Sequence, residues 1–318
     1  MKKVLSGALL LACLAAHAEE DPYLWLEEVE GDKALAWVEE QNRESLDYLE
    51  ALPTFEAFRR RNLEIYDSEE RIAYPALRGD YVYNFWKDAD NKRGIWRRTT
   101  LDDYAAGKSI WEIILDLDAL AEEEQEDWVW KGSTCLRPEY RLCLLQLSRG
   151  GADAVVIREF DVEDRAFVED GFYLAEAKSQ LSWIDEDSVY VGSDFGDGSL
   201  TDSGYPRTAR LWERGVPATE AREVFAGEQV DVAAAVYRSW DKDTAYDIAY
   251  RAPSFFRSII YRFGDEDDLQ RIEIPEDADF QGIVNGQMLV ELKSDWKPSD
   301  TEYRQGAVIS IDFDAFMN

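Results

Sequence analysis

Between Gly31 and Ser68 the apolar residues recur at helical spacing: Leu35, Val38, Leu46 and Leu49 share a stripe, with Glu39, Glu40, Arg43 and Glu50 on other faces. Pro53 separates a second segment, Thr54 to Tyr66, in which Phe55, Phe58, Leu63 and Tyr66 repeat the pattern, with Thr54 placed as a cap and Glu56 in the first turn. Two amphipathic helices are therefore expected, each with an apolar stripe that needs a partner. After Arg71 the period shortens to that of strands rich in aromatic and β-branched residues, broken every ten or so positions by Gly, Asp, Asn or Pro. Tyr81 to Trp86 and Gly94 to Thr100 bracket a hairpin tip at Asp88-Ala89-Asp90-Asn91, and Arg141 to Ser148 and Ala154 to Phe160 bracket another at Gly150-Gly151. Further strands are expected at 188–191, 208–212, 232–237, 245–250, 258–263, 269–274, 287–292 and 307–313, while helical signals nearly vanish. Recurrent groups of four such strands predict a mainly β fold, a β-propeller behind an N-terminal α-helical arm; a single β-sandwich is the crowded alternative.

The residues before the arm have another character. Lys2 and Lys3 precede a short apolar run, Val4 to Ala16, and Ala16-His17-Ala18 has the small-x-small form of a cleavage site. Residues 1–18 are expected to be a signal peptide cut after Ala18, giving a periplasmic or secreted chain, with 19–70 as the helical arm and 71–318 as the propeller. The run is too short to span a bilayer core, and no later stretch comes nearer, so no membrane span is expected. The rival is a lipoprotein signal ending at Cys13, against which stand the bulky Leu11 and an apolar run that continues past the cysteine.

Charge narrows the partners. The chain carries 35 basic and 67 acidic side chains, a formal −32, and loss of Lys2 and Lys3 would make it more negative still. Nucleic acid is excluded by that field and by the lack of a basic stripe. A hydrophobic content of 46% with 13% aromatics is enough for a packed core rather than a disordered chain. Beyond the leader only Cys135 and Cys143 remain; they flank the turn signal Pro138-Glu139, so a hairpin would let them pair in an oxidising compartment, and free buried thiols are the other reading.

His17 is the chain's single histidine, and it lies in the leader. Without an imidazole the usual base for an activated serine or cysteine is missing, so no catalytic residue is assigned. No cofactor site and no metal site is assigned either. Asp88-x-Asp90-x-x-x-Gly94 begins like a calcium loop, but its glycine is one place late and its twelfth position is Thr99, so a hairpin tip is expected. Asp194, Asp197 and Asp202 in a Gly-rich loop fit turns better than a cation cage, and Ser199, Thr201 and Ser203 there have no base. The acidic runs Glu122 to Asp127 and Asp265 to Asp268 are expected to be solvated loops. Trp86, Trp96, Trp111, Trp128, Trp130, Trp183 and Trp212 would be ordinary core between blades, or would line a groove.

Three stretches carry a resemblance. DPYLWLEEVEGDKALAWVEEQN, Asp21 to Asn42, is similar to the opening segment of the prolyl oligopeptidase family of serine peptidases. GDYVYNFWKDADNKRGIWRRTTLDDY, Gly79 to Tyr104, resembles that family's first propeller strands, and Trp128 to Gly215, with LSRGGADAVVIREFD, GFYLAEAKSQLSWIDEDSVYVGSDFG and GSLTDSGYPRTARLWERG, resembles its later blades. The resemblance implies a two-part enzyme in which a seven-bladed propeller restricts access of oligopeptides to an α/β-hydrolase domain. At about 45 residues per blade, 71–318 accommodates five to six blades, an incomplete ring. No G-x-S-x-G elbow occurs, and none of the family's catalytic residues has a counterpart. The chain reads as the front portion of a longer peptidase: its substrates would be oligopeptides met through a hydrolase domain absent here, and the uncovered arm and open propeller edge would favour self-association. A stand-alone propeller for binding or scaffolding is the alternative function, and a carboxylate-based propeller glycosidase, for which no acid pair stands out, is the third.

Overall fold

A computed structural model of the chain describes residues 21–28, 30–72, 74–263 and 268–318. The leader read at 1–18, with Cys13, His17 and Ala18, lies outside the described residues, as do Asp265 to Asp267 of the second acidic run. The chain divides into two compact units at Asp67 and Ser68. Among the described residues no helix is long and apolar enough to cross a membrane.

The first unit contains a short 3-10 turn, Leu24–Glu27, and the two helices read from the periodicity, α1 (Asp32–Glu50) and α2 (Phe55–Tyr66). Only Ala34 of α1 is buried, whereas Leu35, Val38, Leu46 and Leu49, the whole of its apolar stripe, are exposed. Thr54 does not cap α2: its backbone is already helical and its side chain makes no capping bond, because a cap needs an extended residue whose oxygen can reach back to the first turn.

The second unit is a five-bladed β-propeller of antiparallel sheets that follow one another along the chain. The first sheet is β1 (Ala76–Arg78), β2 (Tyr81–Trp86), β3 (Ile95–Thr100) and β4 (Glu112–Asp116). In the second, β5 (Trp128–Cys135), β6 (Leu142–Arg149), β7 (Val155–Asp161) and β8 (Ala166–Phe167) are joined by β9 (Tyr173–Ala177), which also pairs with β7. The third holds β10 (Gln180–Asp185), β11 (Ser188–Gly192), β12 (Thr208–Glu213) and β13 (Arg222–Ala226). The fourth holds β14 (Ala233–Asp241), β15 (Thr244–Ser254), β16 (Arg257–Phe263) and β17 (Leu269–Arg271), and the fifth has three strands, β18 (Asp279–Val284), β19 (Gln287–Glu291) and β20 (Val308–Asp312).

Turn chemistry sets these hairpins. Gly94 closes the first tightly: its φ is +108°, and a Cβ there would lie 2.5 Å from the Phe85 ring. Asn285 and Gly286, at φ 51° and 70°, make the two-residue link between β18 and β19. Helix does persist after Arg71, contrary to the periodicity: α3 (Leu101–Ala105), α4 (Leu117–Glu124) and α5 (Phe313–Met317) are too short to register as a repeat. Each is started instead by a side-chain cap, from Thr100, Asp116 and Asp312.

Interior blades are covered on both faces, so a strand such as β6 is buried almost continuously rather than at alternate positions. Tyr83, Trp96 and Ile114 of the first sheet pack on Cys143, Leu145 and Phe160 of the second. The second meets the third through Leu144, Ile157 and Phe172 against Trp183, Val189 and Trp212. Ala209 and Phe225 meet Ala234 and Val236 at the next seam, and Ile248 and Ile260 meet Met288 and Val290 at the last. Among the described residues no apolar cluster joins the fifth sheet back to the first.

Candidate functional site

The first strands of successive sheets touch one another, which places them on the inside of the propeller. Arg78 of β1 donates through Nη2 to the carbonyl and Oγ of Ser133 in β5, at 3.0 and 2.9 Å. Trp183 of β10 donates its indole N–H to the Thr134 carbonyl at 2.9 Å, and the Arg238 amide of β14 donates to Ser182 Oγ at 3.0 Å. Where β14 and β18 follow, a cavity of about 370 Å³ is lined by Tyr237, Tyr250, Ser258, Asp279, Phe280 and Gln281. Burial pushes the Tyr237 phenol up to about 12, and it raises Tyr250 as well, so both phenols stay neutral donors and acceptors. Gln180 donates to Tyr250 Oη at 3.4 Å, while its own Oε1 is buried with no partner among the described residues.

Behind this inner lining each seam carries a charged clamp. Arg98, 6% exposed, donates to Glu112 at 2.6 Å, to Glu163 of the next blade at 2.9 Å and to the Tyr83 hydroxyl at 3.2 Å. Burial works against its charge, and these acceptors more than offset it, so its pKa is raised. Arg214 of the third sheet places both Nη atoms on Glu159 of the second, at 2.8 and 2.9 Å. Arg238 forks onto Asp247 at 2.8 and 2.7 Å and reaches the Ile184 carbonyl at 3.0 Å, and Tyr190 donates to the same carboxylate at 2.9 Å. At the last seam Asp241 accepts the Gly286 and Asn285 amides, at 2.6 and 2.9 Å, which hold its carboxyl below the usual range.

The residues singled out by sequence take these places. Cys135 and Cys143 are opposed in β5 and β6, and their sulfurs are bonded at 1.97 Å. Asp88 organises the hairpin tip: Oδ1 accepts the Asp90 and Asn91 amides and the Asn91 side chain, and Oδ2 accepts the Trp86 indole N–H. Asp194 accepts the Gly196 amide, and Asp202 accepts from Gln229. Ser199 donates to the Gly196 carbonyl at 2.6 Å and closes a turn, Thr201 donates to the Val232 carbonyl at 3.0 Å and ties the loop to a distant segment, and Ser203 is exposed in a turn. Glu122 to Asp127 is not a solvated loop: its first part ends α4, Glu124 pairs with Arg158 and Glu126 with Arg149, and Asp127 pairs with Arg93. Trp96, Trp128, Trp183 and Trp212 are buried core, whereas Trp86 and Trp111 line an open cleft with Arg97.

The cavity presents phenol, hydroxyl, amide and carboxylate groups, which donate and accept hydrogen bonds, beside the Phe280 ring. Sequence reasoning missed Gln180, Tyr237 and Tyr250, which resemble ordinary strand residues; only their presence on the first two strands of adjacent blades distinguishes them.

A family model described as the prolyl oligopeptidase N-terminal beta-propeller domain matches residues 13–263. An uncharacterized peptidase of Sinorhizobium fredii is 38% identical over 308 residues, covering 95% of this chain and 42% of the relative. One from Rickettsia prowazekii is 29% identical over 303 residues, covering 91% of this chain and 42% of the relative. Among solved structures, a post-proline cleaving enzyme from Rickettsia typhi matches with a TM-score of 0.84 at 26% identity, covering 92% of this chain and 44% of that one. The chain thus spans less than half the length of these relatives.

Proposed function

The chain belongs to the prolyl oligopeptidase family, matching its N-terminal β-propeller domain, and from that premise we propose that it is a substrate gate: it admits oligopeptides to a serine-peptidase centre carried by other residues and does no chemistry itself. The observation that carries this reading is the inner lining, where first strands of adjacent blades bond to one another and, beside them, a cavity is walled by the Tyr237 and Tyr250 phenols together with Asp279 and Gln281. The phenols and the Gln281 amide can accept from and donate to a peptide backbone without the cost of stripping a charge of water.

The test is hydrolysis of proline-containing chromogenic peptides by the purified chain. No turnover is expected, since the only histidine is His17. Cleavage that disappears on substitution of a residue within this chain would overturn the reading.

Export with cleavage after Ala18 is part of the same proposal, supported by the basic start, apolar run and small-x-small site of residues 2–18. Edman degradation of chain recovered from the periplasm should begin at Glu19; an intact Met1 there would refute it. The exposed stripe of α1, with Leu46 half accessible at 50%, is also proposed to drive self-association of the isolated chain. Sedimentation should accordingly give a mass above that of the monomer, and a strictly monomeric boundary would remove the idea.

A further inference from the structure

Although the chain carries 67 acidic against 35 basic side chains, some of its arginines have no acid partner. Arg97 of β3 is one: among the described residues its guanidinium forms no ion pair, although its neighbour Arg98 holds two carboxylates. It is nevertheless held firmly. The Cζ atom lies 4.4 Å from the Trp86 ring centroid and 4.4 Å from that of Trp111, so the guanidinium is packed against two indoles. Nε donates to Asn84 Oδ1 at 3.1 Å, and Asn84, only 5% exposed, is itself anchored by donating to the Tyr74 carbonyl at 3.3 Å. Burial lowers the arginine's pKa, the expected result of removing a cation from water without supplying a counter-ion.

Arg97 lines a cleft of about 510 Å³ whose other walls include Glu69, Arg71, Asp88, Tyr104 and Trp111. Asp88, the acid whose charge is felt at the guanidinium, is committed to four donors of its own hairpin and makes no ion pair with Arg97. Arg71 adds a second cation, 5.3 Å from the Trp86 ring. With Nε taken by Asn84, the donors left to Arg97 are its two Nη groups, the edge that matches a carboxylate. Both indoles restrict the fork in advance, so little side-chain entropy remains to be lost on binding.

We propose that this cleft binds the free C-terminal carboxylate of a short peptide, held by the Nη edge of Arg97, with the terminal side chain against the indoles of Trp86 and Trp111. The Glu69 and Asp88 carboxylates on the wall favour a monoanion over a doubly charged phosphate, and Glu69 offers an acceptor for the peptide's amide N–H. This site is separate from the inner lining and holds whether or not the chain gates a peptidase.

Isothermal titration of the full chain with N-acetyl-alanyl-phenylalanine, with its C-terminal amide and with inorganic phosphate tests the assignment. The acid should bind at least tenfold more tightly than the amide or phosphate, and its affinity should fall as salt is raised. Arg97→Lys, which keeps the charge and loses the fork, should weaken the acid at least tenfold with an unchanged melting curve. Should that variant unfold, Trp111→Leu at the cleft wall serves instead, with at least a threefold loss expected. Equal binding of acid and amide, phosphate binding as tight as the peptide, no measurable binding, or wild-type affinity in a folded variant would each overturn the proposal.

Discussion

Glu159→Ala should lower the melting temperature of the propeller by roughly 6–15 °C, the shift that a loss of about 3–5 kcal/mol produces in a domain of this size. Residues 155, 157 and 159 of β7 face the third sheet, and at the third of these positions the seam is closed by an ion pair instead of an apolar contact. The Glu159 side chain is 1% exposed and accepts Arg214 Nη1 and Nη2, and also the Phe172 amide at 2.8 Å. Alanine removes three acceptor contacts at once. Arg214, at 28% exposure, can recover some hydration, while the Phe172 amide is buried and cannot, so the loss reflects an orphaned donor as well as a broken pair. A double-mutant cycle with Arg214→Met separates the two: coupling above about 1 kcal/mol is expected. A single-variant shift below 2 °C, or strict additivity, would mean that the clamp does not hold the seam.

The glutamate also marks the limit of what could be read along the chain. Turn signals are local, so the Asp88 to Asn91 tip predicted the adjoining strands closely: β2 is Tyr81–Trp86 as expected, and β3 starts at Ile95. At the hairpin around Pro138 the sequence left Cys135 and Cys143 open between a pair and free thiols, and it is the register of β5 on β6 that sets them opposite one another. Clamps are not local. Glu159 and Arg214 lie 55 residues apart, and in the alternation of β7 a glutamate would ordinarily mark a solvent face. Because a propeller blade is buried on both sides, that polar position had to find its partner on the next sheet, which no window of sequence contains. The acidic run at Glu122 to Asp127 misleads for the same reason, since its arginine partners come from other segments. Arg97 was hidden differently: as one of a pair of arginines in a strand it looks like its neighbour, and only the position of each on the pleat separates a clamp from an unpaired fork.

Phe160→Ala, one residue further on and on the opposite face of the same strand, should cost about 3–5 kcal/mol and a melting shift of similar size, through packing alone. Phe160 is 1% exposed and sits between the first two sheets, edge-on to Phe167 at 5.3 Å and to Trp96 at 6.2 Å. Its cross-strand partner is Cys143, itself tied to Cys135, so the wall on that side cannot move in to fill the space. Restricted collapse places the loss toward the upper end of the range, because the residual cavity adds to the lost transfer energy. Phe160→Leu keeps most of the volume and should cost less than about 1.5 kcal/mol. A cavity lined by Trp96, Leu145 and Val162 is apolar and stays dry, so benzene should restore part of the lost melting temperature in Phe160→Ala and leave wild type unchanged. An alanine variant that melts within 2 °C of wild type would show that the first two blades are held by the Arg98 clamp and not by this packing.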